Sequence, residues 1–190
     1  ADQGDAGAQR RIGVLYDFGD GVAVDYTEAM KWYRLAADQG DAEAQRRIGS
    51  LYDLGDGVAV DYTEAMKWYR LAADQGDAEA QLRIGVLYDL GDGVAVDYTE
   101  AMKWYRLAAD QGDAEAQWRI GGLYYLGDGV AVDYTEAMKW FRLASDQGDA
   151  GAQRRIGVLY YFGDGVAVDY AEAMKWYRLA ADQGDAEAQL

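Results

Sequence analysis

The stretch DAEAQRRIGSLYDLGDGVAVDYTEAMKWYRLAADQG, residues 41–76, contains two helix patterns joined by a glycine-rich loop. In the first pattern, Asp41 stands where an N-cap is expected, and Gly55 stands where a left-handed C-cap is expected. Between them, apolar residues recur at helical spacing. They are Ala44, Ile48, Leu51 and Tyr52. The pattern predicts an amphipathic helix that buries one face.

The second helix pattern follows the loop GDGVAV and begins at Asp61. Glu64 stands three residues later, which is the spacing of a capping box with Asp in the cap position. The helix YTEAMKWYRLAADQ then runs to Gly76, and only Gly76 and Asp77 separate it from the next helix. Because this connection is so short, we expect consecutive helix pairs to stack tightly. No alternation typical of strands is present.

The same pattern recurs every 36 residues along the 190-residue chain. A helix pair alone cannot bury its apolar residues, whereas a stack of pairs can. We therefore predict an all-α fold, a right-handed α/α superhelical solenoid of helix-turn-helix repeats, in a single domain. Its units are 1–36, 37–72, 73–108, 109–144 and 145–180, followed by a partial sixth unit at 181–190.

The shared letters of the copies, among them DAEAQ, LY, the glycine-rich loop and EAMKWYRLAADQG, resemble the Sel1-like repeat, a relative of the tetratricopeptide repeat. The resemblance covers the whole chain. It implies a superhelix whose first helices line a concave surface, and a role as an adaptor or scaffold that binds peptides and proteins. Some members carry a disulfide in each repeat, but this chain has no cysteine. The near identity of the copies is typical of a consensus design or of a recently duplicated gene.

The composition argues against several classes of function. A formal net charge of −16 disfavours nucleic acids and anionic membranes, whereas it suits basic partners. No apolar run approaches the length of a membrane span, and no signal peptide is visible. The chain has no histidine, and Ser50 and Ser145 have no base at catalytic spacing. We therefore predict a protein that is not an enzyme, with no catalytic residue and no cofactor.

The loop at 53–64 has the length of a helix-loop-helix calcium site and begins and ends with a carboxylate residue. However, Gly55 and Gly57 occupy two of the ligand positions, and Val58 takes the place of the turn glycine. Turn and capping roles explain the aspartates of this loop better. We therefore predict no metal site.

Differences between the copies concentrate on the first helix. In the first copy they fall at Gly7, Arg10, Val14 and Asp17, a spacing that puts them on one stripe of the helix, roughly opposite the shared apolar residues. We call this set, and its counterparts in the other copies, the variable stripe. A solvated face that tolerates drift would explain polar exchanges there. It explains less well the two large aromatic residues of the fourth copy, Trp118 and Tyr125.

The alternative interpretation of the variable stripe is a ligand groove, because Trp and Tyr contribute much of the binding energy when they are buried in an interface. Gly122 lies between the two aromatic residues and would open a slot, and the flanking arginines would hold carboxylates or carbonyls. The candidate peptide-binding residues are Arg46, Leu82, Trp118, Gly122, Tyr125, Arg154 and Tyr161. The predicted partner is a peptide or protein segment.

Two other functions stay open. The first is a scaffold with no specific ligand. The second is head-to-tail self-association, because repeat arrays normally need polar terminal caps and this sequence shows none.

Overall fold

The computed structural model describes residues 4–185, which form ten α-helices and no strand. The helices are α1 (Ala6–Phe18), α2 (Tyr26–Ala37), α3 (Ala42–Leu54), α4 (Tyr62–Ala73), α5 (Ala78–Leu90), α6 (Tyr98–Ala109), α7 (Ala114–Leu126), α8 (Tyr134–Asp146), α9 (Ala150–Phe162) and α10 (Tyr170–Asp182). The prediction of an all-α fold of helix-turn-helix repeats is confirmed. Residues 186–190, half of the predicted partial unit 181–190, lie outside the described residues.

The chain divides into two compact units, Ala1–Val96 with α1 to α5 and Asp97–Leu190 with α6 to α10. In the first unit, α1 pairs with α2 and α3 with α4, while α2 packs on α3 and α4 on α5. In the second unit, α7 pairs with α8 and α9 with α10, while α6 packs on α7 and α8 on α9. Each helix thus packs against helices that are close to it in sequence.

The predicted caps define the helix ends. The Asp41 carboxylate accepts a hydrogen bond from the Ala44 amide at 2.8 Å, and Asp61 accepts one from the Glu64 amide at 3.0 Å. Gly55 ends α3 with φ at 79°, a left-handed conformation that favours glycine. The aspartate N-caps and the glycine C-caps of the first helices recur along the chain, so each first helix ends at the same point of its repeat.

The core of each repeat lies between its two helices. In α4, Tyr69 is 1% exposed, and its ring packs directly over α3. A Cβ atom added at Gly49 would lie 2.6 Å from that ring, so only glycine lets the two helices come this close. The Tyr69 hydroxyl donates to the Asp53 carboxylate at 3.0 Å, and Tyr33 donates to Asp17 at 2.8 Å. The Ile-Gly pair of the repeat is therefore a requirement of packing.

Candidate functional site

Three residues of the variable stripe lie along α7 in the second unit. Trp118 and Tyr125 are half-buried, and Gly122 stands between them, four residues from one and three from the other. A Cβ atom at Gly122 would meet no neighbouring atom of the described residues within 4 Å. We call this open space the Gly122 recess. The helix therefore presents a gap between two aromatic side chains.

Trp118 also packs between neighbouring first helices. A Cβ atom at Gly151 of α9 would lie 3.2 Å from the indole Nε1, whereas three of the other copies have glutamate at the position of Gly151. The Nε1 atom is buried, and no described atom accepts a hydrogen bond from it. The indole therefore fills the space that Gly151 leaves between α7 and α9. This contact between repeats gives a packing reason for the exchange at Trp118.

Tyr125 belongs to a coupled pair of exchanges. Where the first copy has Asp17 accepting from the Tyr33 hydroxyl, the fourth copy has Tyr125 and Phe141. Phe141 is 1% exposed, and loss of the aspartate would leave a tyrosine hydroxyl there without its carboxylate. The phenylalanine removes that polar group. The paired exchange is a feature of the fourth copy, because in the fifth copy Tyr161 replaces the aspartate while Tyr177 is kept.

The Tyr125 ring is held on two sides. Its centroid lies 5.4 Å from that of Tyr134, at an interplanar angle of 60°. The guanidinium of Arg155 lies over the ring, 5.4 Å from the centroid. In the same way, Arg119 lies 5.7 Å from the centroid of the Trp118 ring. Both aromatic residues beside the Gly122 recess therefore contact a cation.

Arg46 and Arg154, which we predicted as cationic residues flanking the groove, each form an ion pair within the chain. Arg46 Nε contacts the Asp77 carboxylate at 3.3 Å, and Arg154 Nε contacts Asp185 at 3.3 Å. Each arginine thus pairs with an aspartate 31 residues further along the chain, and its contact with a partner stays a prediction. Arg155 and Arg119 lie over the two rings, and Arg119 also contacts the Glu115 carboxylate at 2.9 Å. The sequence could have indicated these two residues, because every copy has an arginine at this position.

The two remaining candidates differ in exposure. Leu82 is 2% exposed, so the prediction that it extends an open apolar surface was wrong: it is part of the packing of the first unit. Tyr161 is 47% exposed, and its ring centroid lies 5.3 Å from that of Tyr170 and 5.0 Å from that of Phe162. The variable stripe thus holds both packed and exposed side chains.

A cleft that the sequence patterns do not predict lies between α1 and α3 in the first unit, with a volume of about 230 Å³. We call it the α1–α3 cleft. Its lining residues are Asp17, Phe18, Tyr26, Arg47, Ser50, Leu51, Leu54 and Asp56. Ser50 could have indicated the cleft from the sequence, because valine or glycine occupies that position in the other copies.

Burial shifts the acidity of the core tyrosine pairs. It raises the pKa of Tyr33 and of Tyr69 well above the ordinary range, and the adjacent carboxylates, Asp17 and Asp53, act in the same direction. Burial also raises the pKa of Asp53, although the hydrogen bond from Tyr69 opposes that shift. These pairs lie inside the repeats and contribute to packing.

Residues 4–185 contain no group of three or more His, Cys, Asp or Glu side chains arranged to hold a metal ion. None of the ten helices in that part of the chain has both the length and the apolar character of a membrane span.

Comparison with known proteins places the chain in a family. The Sel1 repeat model matches five segments: 6–41, 42–77, 78–113, 114–149 and 150–185. Each segment begins at the first residue of an odd-numbered helix and spans one helix pair. A sequence comparison with curated proteins finds no match.

Solved structures show the same repeat. A Sel1 repeat protein from Oxalobacter formigenes is 41% identical with a TM-score of 0.90, over 97% of this chain and 75% of that one. A protective antigen of uropathogenic Escherichia coli strains, with an SLR fold, is 39% identical with a TM-score of 0.91. That match covers 98% of this chain, which spans only 40% of the antigen's chain. An immunity protein from Pseudomonas aeruginosa, 22% identical over 96% of this chain and 67% of that one, shares the fold, with a TM-score of 0.60. The chain belongs to the Sel1 repeat family.

Proposed function

We propose that this protein binds a peptide or protein segment along the exposed side of α7, with an apolar side chain of the partner in the Gly122 recess. Sel1 repeat proteins are generally non-catalytic scaffolds for protein interactions. The observation on which the proposal rests is the open space at Gly122 between two half-buried aromatic side chains. Trp and Tyr side chains on either side of this open space would offer a large apolar contact at a small cost in conformational entropy.

The charges around the recess suit a segment with a mixed surface. Arg155 lies over the ring of Tyr125, where it would face backbone carbonyls of a partner. Arg119 lies over the ring of Trp118 and also pairs with the Glu115 carboxylate at 2.9 Å. The chain as a whole has a formal net charge of −16, which would attract basic partners over a distance. Tyr161 on α9 adds exposed aromatic surface in the same unit. The proposed ligand is therefore an apolar anchor within a basic segment.

The decisive variant is Gly122→Val, which gives α7 the side chain that three other copies have at this position. The added atoms enter open space, so the fold should be kept and the recess filled. Peptides are first selected against the parent protein from a random display library. Their affinities are then measured by fluorescence anisotropy. We expect Gly122→Val to weaken the selected peptides about tenfold or more, as for loss of a central anchor.

The matched control is Ser50→Val, which introduces the same side chain at the same position of α3. Peptides that bind the Gly122 recess should keep their affinity for this variant. Circular dichroism and urea denaturation check that both variants fold. If the library enriches no peptide, or if every enriched peptide binds Gly122→Val as tightly as the parent, the proposal is wrong.

A further inference from the structure

The α1–α3 cleft is a second candidate binding site, on elements other than those of the Gly122 recess. It opens at the C-terminal ends of α1 and α3, where Tyr26 begins the next helix. Its volume of about 230 Å³ is below the range of about 300–1,000 Å³ that is usual for small-molecule sites. The cleft therefore has room for one side chain of a partner.

Another repeat of the same chain shows which side chain occupies the position that corresponds to the α1–α3 cleft. In the fourth copy, the position of Asp17 is taken by Tyr125, whose ring packs on Tyr134 and under Arg155. Tyr134 and Arg155 correspond to Tyr26 and Arg47, two residues that line the cleft. These counterparts are 108 residues apart in sequence, which is three repeats.

The fifth copy repeats the contact between the two tyrosine rings, since the ring centroid of Tyr161 lies 5.3 Å from that of Tyr170. Two copies thus fill the place with an aromatic ring of their own. In the first copy Asp17 is too short to do so, and its carboxylate accepts a hydrogen bond from Tyr33. In the first copy, the surface of Tyr26 that corresponds to the covered tyrosine surface of those two copies therefore lines the cleft.

The lining of the cleft suits an aromatic ring in other ways. The guanidinium of Arg47 lies 5.1 Å from the centroid of the Phe18 ring, and its buried Nε donates to no acceptor among the described atoms. Leu51 and Leu54 add apolar wall, and Ser50 takes up less room than the valine of other copies. A flat π system is the group that a planar cation and a tyrosine ring both favour.

We propose that the α1–α3 cleft binds an aromatic side chain presented by a basic peptide segment. The ring lies between Tyr26 and Arg47, as Tyr125 lies between Tyr134 and Arg155. The basic residues beside it face Asp56 at the edge of the cleft and the acidic surface of the chain, whose formal net charge is −16. This site does not depend on the Gly122 recess.

The test uses two short amidated peptides, Lys-Lys-Phe-Lys-Lys and Lys-Lys-Leu-Lys-Lys, which have the same charge. Binding to the full chain is followed by NMR through the backbone amides of Phe18, Ser50 and Leu51. We expect the phenylalanine peptide to bind about tenfold more tightly than the leucine peptide. The preference should persist at about 1 M salt, where charges are screened beyond about 3 Å.

Two variants close the cleft in different ways. Ser50→Val narrows it with the side chain that other copies have. The paired change Asp17→Tyr with Tyr33→Phe places a ring in it and copies the combination of Tyr125 and Phe141, which this chain already uses. Both should remove the preference for phenylalanine. Gly122→Val should leave the preference unchanged, which separates this site from the Gly122 recess.

Each other outcome counts against the proposal. It is overturned if the phenylalanine peptide does not bind, if both peptides bind equally well, or if the preference survives both cleft variants. Loss of the preference in Gly122→Val would assign it to α7 instead. The phenylalanine preference and the library peptides respond to different variants, so either proposal can fail without the other.

Discussion

The adjacent glycines Gly121 and Gly122 of α7 should respond to alanine in opposite ways. A Cβ atom at Gly121 would lie 2.6 Å from two carbons of the Phe141 ring, which is 1% exposed. A Cβ atom at Gly122 would meet none of the described neighbouring atoms within 4 Å. Both positions lie within the same helix, so the two variants differ mainly in what surrounds the new methyl group.

The geometry sets the expected magnitudes. Replacing glycine by alanine inside a helix raises the free energy of unfolding by about 1 kcal/mol at either position. At Gly121, carbons in contact need about 3.5–4.0 Å, so the methyl overlaps the ring by roughly 1 Å. Overpacking of this kind costs about 1–3 kcal/mol, and a buried ring should place it near the upper end. We expect Gly122→Ala to stabilise by about 1 kcal/mol and Gly121→Ala to destabilise by about 2 kcal/mol.

Urea denaturation followed by circular dichroism measures both variants. The added change Phe141→Leu is the control, because it removes ring atoms from the overlap. Phe141→Leu should lower the free energy of unfolding clearly less in the Gly121→Ala variant than in the parent protein. If the two alanine variants differ by less than about 0.5 kcal/mol in free energy of unfolding, the reasoning about close approach is refuted, and the Gly122 recess loses its basis.

Three further predictions concern coupled residues. Phe141→Tyr should lower the free energy of unfolding by about 1–3 kcal/mol, and the added change Tyr125→Asp should recover much of this loss. If urea denaturation shows that the effects of the two changes on the free energy of unfolding simply add, the pairing is contradicted. Burial raises the pKa of Asp53, so the contribution of this carboxyl to stability falls as the pH rises through that pKa. The stability of Asp53→Asn relative to the parent should therefore increase between about pH 3 and pH 7, and a flat difference in denaturation midpoints would contradict this. Gly151→Glu should lower the melting temperature because its Cβ meets the Trp118 indole at 3.2 Å, and Trp118→Arg should recover it; no recovery would show that the two positions are independent.

The sequence was a sufficient guide to the local structure. The N-cap at Asp41 and the C-cap at Gly55 have the predicted roles, and Ile48 and Leu51 are buried as their spacing indicated. These features depend on the conformation of a few consecutive residues and on the periodicity of one helix. Because the pattern recurs in each copy, the correct prediction of the two helices in one repeat applies to the other repeats as well.

The candidate site was predicted less well. The angular position of a residue on its helix showed that the variable stripe faces away from the shared core, but it did not show what packs against that stripe. Arg46 finds its carboxylate 31 residues away at Asp77, and Trp118 meets Gly151 of the following first helix. Such contacts join neighbouring repeats, and the periodicity of one helix contains no information about them.

The sequence by itself determined the repeat, its two helices, their caps and the family, because all of these follow from local conformation and from residues that recur in every copy. Only the tertiary structure decided which exchanges fill space and which leave it open. Leu82 is buried, Gly122 faces a recess, and Ser50 lines the α1–α3 cleft. The physical reason is that burial depends on the distance between side chains of adjacent helices, which the order of residues along one helix does not define.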